Sequence, residues 1–346
     1  MKIGIHNSPG FFSDRWIAYC ESKSISYKIV DCYANDIIKQ LSDCDALMWH
    51  FNHKSSKDCK FAKQLLFSLQ NAGKAVFPDF NTVWHFDDKL GQKYLLESVA
   101  APMAAAHVFF SKEEALRWAS STGYPKVFKL RNGAGSDNVR MVKSIQQSKR
   151  LIRRSFKNGF RQYNVFGSLR ERVRLYRLGR TDLWDVIKGI ARIVHTTKYS
   201  RVAGREIGYC YFQDFVPGND SDIRVVVIGD KAFAIKRMVR KNDFRASGSG
   251  MILYEKSHFD DKTISLAFSV SEKLQSQCMA YDFVYREGKP LIVEISYGFA
   301  PSGYDACTGY WDKDLHWNEG KFDPYGWMVD DLIKKYKGPD LTGTCS

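Results

Sequence analysis

The sequence lacks several features that would place a chain in a familiar class at once. Its eight cysteines are scattered, without a C-x-x-C pair or a regular spacing. This scatter argues against a disulfide framework and against a zinc site. No apolar run reaches the length of a membrane-spanning helix, and the first residues have the pattern of a strand rather than of a signal peptide. We therefore expect a protein of the reducing cytoplasm.

Two common nucleotide-binding motifs are also missing. A P-loop requires a lysine directly after its second glycine, whereas Lys129 in KVFKLRNGAGSDNVRMVKS precedes Gly133 and Gly135. A dinucleotide fingerprint requires a third glycine that opens a helix, but Asn138 stands there and strand-like alternation follows. The stretch predicts a hairpin with a glycine tip. That tip either only satisfies turn geometry or closes over phosphates above Lys129.

Acidic residues are scarce in one segment, and this segment carries most of the charge. The net charge of the 346 residues is +14, and residues 149–205 hold 16 lysines and arginines against 3 acidic residues, 16 − 3 = +13. Part of the segment has helical apolar spacing, at Leu183, Val186, Ile187, Ile190, Ile193 and Val194. Three interpretations remain open: a solvated helical insertion, a site for a large anion such as an acidic polysaccharide or nucleic acid, or a helix on an anionic membrane surface. No specific nucleic acid is expected as a partner.

The apolar pattern predicts an alternating N-terminal part and a later part rich in strands. Strands are predicted at residues 2–6, 27–31, 46–50, 75–77, 108–110, 127–130, 211–216, 224–228, 232–237, 281–285 and 291–296. Helices are predicted at residues 14–21, 36–41, 61–70, 81–98 with Asn81 as N-cap, 111–119, 263–275 and 327–336. Alternation of this kind favours a small parallel sheet with helices on both faces. We divide the chain into residues 1–80, an N-terminal βα domain, residues 81–210, a subdomain with the lysine, the glycine loop and the basic insertion, and residues 211–346, a C-terminal subdomain.

Two acidic residues face each other in the last predicted hairpin. Asp282 and Glu294 lie six residues on either side of Gly288, so a regular antiparallel register places their Cβ atoms about 5 Å apart. Like charges repel unless a cation lies between them, and Mg²⁺ binds a few carboxylates together with phosphate oxygens. Ser296 shares the face of Glu294 because side chains alternate along a strand. Either the pair holds magnesium, or one carboxylate points outward, or each pairs with a nearby lysine or arginine.

The stretch FQDFVPGNDSDIRVVVIGDKAFAIKRMVRKNDFRASGSG, residues 212–250, resembles the ATP-grasp superfamily. It contains, in order, a strand, a D-x-R motif, a hairpin, a strand with a basic end and an F-R-A-S motif. The order and spacing of these features are similar to those of one branch of the superfamily, the glutamate ligases that modify ribosomal protein. Together with Lys89, Lys129, Asp282 and Glu294, the resemblance spans residues 81–296. It implies an α/β (α+β) ATP-grasp fold, with an N-terminal parallel βα domain followed by two α+β subdomains that clamp ATP.

The resemblance also implies a role for each candidate residue. Two lysines reach the nucleotide phosphates, a glycine lid covers them, a strand reads adenine through its backbone, and an aspartate faces the ribose or orients Arg224. These nucleotide-binding residues are Lys89, Lys129, Gly133, Gly135, Ser136, Gln213, Asp214, Phe215, Val216 and Asp222. Arg237 and Arg245 steady the γ-phosphate and the acyl phosphate, and the implied magnesium ligands are Asp282, Glu294 and Ser296.

The implied reaction is ATP- and Mg²⁺-dependent joining of a carboxylate to an amine through an acyl phosphate, with release of ADP. We expect the carboxylate to belong to a small molecule or to a glycan. We expect the protein to be located in the cytoplasm, or peripherally at the inner membrane surface. Ser296 stands where the family usually has asparagine, and Ser247 where F-R-A-N is common. A serine hydroxyl is a weaker oxygen ligand. A phosphotransferase and a catalytically reduced binding protein on an anionic membrane or polymer therefore remain alternatives.

Overall fold

The computed structural model describes residues 1–52, 55–132, 138–161, 204–240, 243–246 and 248–337, and single positions between 169 and 190. It contains a four-stranded parallel sheet followed by a four-stranded and a seven-stranded antiparallel sheet. The predicted mixed α/β architecture is therefore confirmed. Within the described residues, no helix is long and apolar enough to cross a membrane.

The first sheet is formed by the alternating N-terminal part of the chain. Its four parallel strands have the order β2-β1-β3-β4. They are β1 (Ile3–His6), β2 (Tyr27–Val30), β3 (Ala46–Met48) and β4 (Ala75–Phe77), and the connecting helices are α1 (Phe12–Ser22), α2 (Ile37–Gln40) and α3 (Ser56–Asn71). The predicted order of these elements is confirmed. Because the strands are parallel, the loops that follow them meet at one edge of the sheet.

The single helix predicted for residues 81–98 is wrong, because two helices occupy this stretch. They are α4 (Phe80–Val83) and α5 (Lys89–Ser98). The N-caps are Asp79 and Asp88, not Asn81; the Asp88 carboxylate accepts the backbone N–H groups of Leu90 and Gly91 at 3.1 and 3.0 Å. Asp87, with φ of 55°, has a left-handed backbone that separates the helices. Lys89 therefore begins a helix instead of lying inside one.

The Asp88 cap should contribute measurably to stability. Its carboxylate also binds Arg131, at 2.9 and 2.5 Å. We expect Asp88→Ala to lower the free energy of unfolding by about 1–2 kcal/mol, as the loss of an N-cap typically does. Urea unfolding measures this loss. The matched control is Asp36→Ala, because Asp36 precedes α2 without a capping hydrogen bond; equal losses in the two variants would contradict the assignment.

The second sheet is antiparallel, with the order β5-β10-β6-β7. Its strands are β5 (Ala106–Phe109), β6 (Lys126–Lys129), β7 (Val139–Val142) and β10 (Cys210–Asp214), accompanied by α6 (Lys112–Ser121) and α7 (Ile145–Lys157). A short ribbon pairs β8 (Phe160–Arg161) with β9 (Arg205–Glu206), so residues 162–204 lie between its two strands in the sequence. β10 thus belongs to the middle sheet, although the sequence division at residue 210 assigns most of it to the C-terminal subdomain.

The third sheet has seven strands and provides the acidic pair. Its strands are β11 (Ser221–Ile228), β12 (Lys231–Met238), β13 (Ile252–Leu253), β14 (Cys278–Arg286), β15 (Lys289–Ser296), β16 (Gly309–Asp312) and β17 (Trp317–Glu319), and its helices are α8 (Asp261–Leu274) and α9 (Pro324–Lys337). Side chains alternate along β11. Val225 and Val227 pack with α8, whereas Val226 and Ile228 share a core with the first sheet. The N-terminal and C-terminal parts are therefore joined by one continuous apolar core.

Candidate active site

A cavity of ≈ 630 Å³ has walls from all three sheets and their loops. It gathers residues that are far apart in the sequence but were predicted to act together. The predicted site residues that line it are Lys89, Lys129, Gln213, Asp214, Phe215, Val216, Asp222, Arg245, Asp282, Glu294 and Ser296. Gly133, Gly135 and Ser136, the predicted glycine lid, lie outside the described residues.

A β-bulge produces the predicted opposition of the two acidic residues. The turn of this hairpin is centred on Glu287 and Gly288, so Phe283 pairs with Ile292. A regular continuation would pair Asp282 with Val293, but the register shifts by one residue there and Asp282 faces Glu294. The predicted pairing is therefore confirmed, although a bulge rather than a regular register creates it. Bulges are common beside active sites because they redirect a side chain.

The carbonyl of the bulged residue holds the lysine of the second sheet. The Lys129 ammonium donates to the Val293 carbonyl oxygen at 3.3 Å, and the Gln213 amide donates to the same oxygen at 3.5 Å. The Lys129 side chain is buried, with 7% of its surface exposed. Burial lowers the pKa of Lys129 to about 8, although the neighbouring Glu294 opposes this effect. A buried, poorly compensated ammonium is suited to binding an anion.

Lys89 reaches Glu294, the acidic neighbour of Lys129, from a different element. Its ammonium lies 3.6 Å from a carboxylate oxygen of Glu294, and its side chain is buried. Its backbone N–H donates to the Arg131 carbonyl at 3.0 Å, which fixes the start of α5 against the end of β6. Two lysines from separate elements therefore converge on one acidic residue of the third sheet.

Asp282 lies in a buried ion-pair cluster. Arg224 donates to both of its carboxylate oxygens, and Arg237 lies 2.9 Å from one of them. Arg237 also donates twice to Asp222, at 2.7 Å each. Burial alone would raise the pKa of Asp282, but the two guanidinium groups outweigh burial and hold that pKa well below its usual range. Burial, opposed by Arg237, raises the pKa of Asp222.

This cluster changes the interpretation of two predicted residues. Arg237 binds two aspartates and is not among the residues that line the cavity. Its predicted place at the γ-phosphate therefore has no support in this geometry. Both carboxylate oxygens of Asp222 accept from Arg237, so a contact with ribose would compete with that pair. Arg245 does line the cavity, and its guanidinium is oriented by Asp243 at 2.5 to 3.0 Å.

The donor set fits a magnesium ion. A carboxylate offers about four lone-pair directions, and the hydrogen bonds of Asp282 to Arg224 and Arg237 use three of them. Glu294 is half-buried on the facing strand and could provide further oxygen ligands. The Ser296 hydroxyl donates to the Gly298 carbonyl at 2.9 Å, so it is partly engaged with its own loop. The residues that would hold the metal are therefore Asp282 and Glu294, with phosphate oxygens completing the shell.

One end of the cavity was not predicted from the sequence. Its walls include Phe11, His50, Asn52, Phe86 and Asp87. Phe11 precedes α1, and His50 and Asn52 follow β3, so these three lie beyond the carboxyl ends of parallel strands. Ligands of open parallel sheets bind at that edge, and this signal could have indicated them. The sequence contains no comparable signal for the left-handed backbone conformation of Asp87.

The comparison with protein families agrees with this geometry. Residues 198–305 match the family model of the RimK-like ATP-grasp domain. The matched part of the chain is similar to a RimK-like ATP-grasp domain. The superfamily inferred from the D-x-R hairpin and the acidic pair is thus confirmed. No curated protein sequence gives a significant match.

Solved structures are similar over nearly the whole chain. An ATP-grasp RimK domain protein from Sphaerobacter thermophilus DSM 20745 is 14% identical with a TM-score of 0.55, covering 96% of this chain and 100% of its own. D-alanine–D-alanine ligase from Bacillus anthracis is 14% identical with a TM-score of 0.51, covering 97% of each chain. D-cycloserine synthetase DcsG is 11% identical with a TM-score of 0.59, covering 96% of this chain and 98% of its own. At such low identity these likenesses establish the ATP-grasp fold alone.

Proposed function

We propose that this RimK-like ATP-grasp protein is an ATP-dependent carboxylate–amine ligase that releases ADP. The observation that carries the proposal is the convergence of two buried lysines on a bulge-aligned pair of acidic residues across one cavity. The lysines fit the phosphates of a nucleotide, and the carboxylates fit its magnesium ion. The ligase names of the structural neighbours agree with this function.

The residues of this chain have separable tasks in such a reaction. Lys89 and Lys129 hold the nucleotide phosphates by charge-assisted hydrogen bonds. Arg245, oriented by Asp243, stabilises charge that develops on the transferring phosphoryl group. Arg224 and Arg237 keep Asp282 ionised. A magnesium ion, when bound by Asp282 and Glu294, would neutralise phosphate charge.

The two bond-forming steps balance without a further reactant. A carboxylate oxygen of the first substrate attacks the γ-phosphorus, and the bond from that phosphorus to the β-phosphate oxygen breaks, so ADP leaves. The amine nitrogen of the second substrate then attacks the acyl carbon, phosphate leaves, and the nitrogen loses a proton. Positioning and exclusion of water are what an active site must supply for an acyl phosphate.

The finer features of the substrate are part of the same proposal. The cavity end near Phe11, His50 and Asn52 is formed by loops of the first sheet, whereas β10 belongs to the second sheet, so this end offers space for the acceptor. The carboxylate is that of a small molecule or of an acidic glycan.

Nucleotide product analysis tests the proposal. The protein is incubated with Mg-ATP and a pooled set of carboxylates and amines, and Glu294→Gln serves as the inactive control. Formation of ADP that requires both a carboxylate and an amine supports the ligase. ADP formed without an amine, or AMP, indicates a phosphotransferase. ATP binding without turnover favours a catalytically reduced binding protein, the alternative that the engaged Ser296 hydroxyl supports.

A further inference from the structure

A patch of basic side chains lies on α7 and on the β8–β9 ribbon, whose two strands bracket residues 162–204 in the sequence. We name it the basic collar: the exposed residues Arg150, Arg153, Arg154, Lys157, Arg161 and Arg205. The first four lie on α7, and the last two face each other across the β8–β9 ribbon. Like charges directly opposed on neighbouring strands are unfavourable. An anionic surface against the collar would remove that cost.

Four described residues between the two ribbon strands in the sequence present apolar side chains to solvent. We name the apolar ridge as Leu183, Trp184, Ile187 and Ile190, which are 53%, 68%, 44% and 53% exposed. Their spacing of one, four and seven residues places them on one side of a helix. Single exposed apolar residues are common, but four at helical spacing form a contiguous surface that calls for a partner.

Basic and exposed apolar residues occur together in this part of the sequence, and this combination identifies the partner. Residues 162–204 contain 9 lysines and arginines against 3 acidic residues. A nucleic acid or an acidic polysaccharide would neutralise the arginines but would leave the isoleucines in water. The apolar groove of a partner protein would cover the apolar ridge but would not explain the basic collar. An anionic bilayer surface satisfies both, because lipid headgroups meet the cations and the acyl boundary receives tryptophan, leucine and isoleucine.

We propose that the basic collar and the apolar ridge together bind the surface of a membrane that contains anionic lipids. The contact is peripheral: the ridge lies in the headgroup region and the collar rests above it. This inference goes beyond the proposed ligase function and does not depend on it. It implies that the cavity works close to a lipid surface, where lipid-linked substrates would be concentrated.

Vesicle flotation with the full chain tests the proposal. Binding is compared between vesicles of phosphatidylcholine alone and vesicles of phosphatidylcholine mixed with phosphatidylglycerol, at low and at physiological salt. The ridge variant is Trp184→Ser with Ile187→Ser, and the collar variant is Arg150→Gln with Arg153→Gln and Lys157→Gln. The matched control is Phe110→Ser, since Phe110 is 61% exposed and lies outside both surfaces. Unchanged nucleotide affinity confirms that each variant is folded.

We expect binding only to the vesicles with phosphatidylglycerol, and unchanged binding of the control. The collar variant should bind on the order of a hundredfold more weakly at low salt, since each basic residue contributes about a factor of five. The ridge variant should bind at least about tenfold more weakly. Absence of vesicle binding would overturn the proposal. Vesicle binding that the ridge variant retains would identify a general polyanion site, and ridge-dependent self-association without vesicle binding would identify an interface between copies; either result overturns the membrane assignment.

Discussion

Asp282→Asn is expected to destabilise the protein and to abolish turnover at the same time. In the described structure the Arg224 and Arg237 guanidinium groups are balanced by the carboxylates of Asp222 and Asp282. The substitution leaves this buried cluster with one uncompensated positive charge. Breaking a buried pair in this way costs about 3–5 kcal/mol. Loss of activity in this variant alone would therefore not identify a metal ligand.

Glu294→Gln separates the two effects. Glu294 is half-buried and pairs with the buried Lys89 at 3.6 Å, so the free energy of unfolding should fall by about 1–2 kcal/mol, less than in Asp282→Asn. Turnover should nevertheless fall by about two to three orders of magnitude, because an anion that positions the metal and phosphates is lost. The magnesium concentration needed for tight nucleotide binding should rise at least about tenfold.

Three measurements decide between these outcomes: chemical unfolding, ADP formation, and nucleotide affinity with and without a magnesium chelator. The control is Glu287→Gln, an exposed position in the turn of the same hairpin. It should change none of the three quantities. If Glu294→Gln keeps the magnesium dependence of the native protein, the metal lies elsewhere in the cavity. If Asp282→Asn unfolds like the native protein, the arginine cluster does not depend on this carboxylate.

The fold was largely predictable because most of its elements carry strong local patterns. The parallel sheet follows from the alternation of short apolar runs and amphipathic stretches, and the two long hairpins follow from Gly229 and Gly288 in their turns. The division of residues 80–98 into two helices was missed, although Asp79 and Asp88 are both strong N-cap residues. The apolar spacing that predicted one helix continues across the break between α4 and α5, so the spacing alone gives no sign of that break.

The site was predictable in composition and less so in geometry. Asp282 and Glu294 were matched correctly, but the sequence has no signal for the bulge at Val293 that aligns them. The resemblance to the ATP-grasp superfamily placed Arg237 at the phosphates. Its position on β12, opposite Asp222, instead binds it to two aspartates. Such pairings depend on which strands become neighbours, and local sequence patterns do not encode that choice.

Lys129→Met is expected to stabilise the protein while it weakens nucleotide binding. Burial lowers the pKa of Lys129 from its ordinary value of 10.5 to about 8. Near neutral pH the amine of Lys129 is protonated in both the folded and the unfolded protein, so the free-energy cost of burying its charge is fully present. That cost is relieved only as the pH rises from 8 towards 10.5. Methionine has a similar shape without the charge, so unfolding should require up to about 3 kcal/mol more free energy.

The same substitution removes a charge-assisted contact with phosphate, worth about 1.5–3 kcal/mol, or roughly ten- to a hundredfold in affinity. Thermal unfolding and calorimetric titration with Mg-ADP measure the two effects. The control is Lys93→Met, an identical change on α5 where the lysine pairs with Glu97; it should leave nucleotide affinity unchanged. Stability and affinity that fall together would show that Lys129 is a structural residue.

The pH dependence of binding gives an independent test of the same lysine. Phosphate stabilises the ammonium form, so nucleotide binding takes up a proton wherever the free protein has lost one. Affinity of the native protein should therefore decrease as the pH rises above 8, the region in which the buried lysine deprotonates. Lys129→Arg keeps its charge throughout this range, so its affinity should not change with pH. A native protein with constant affinity across that range would mean that the nucleotide phosphates bind elsewhere, and that the bulge carbonyl of Val293 holds Lys129 only for the fold.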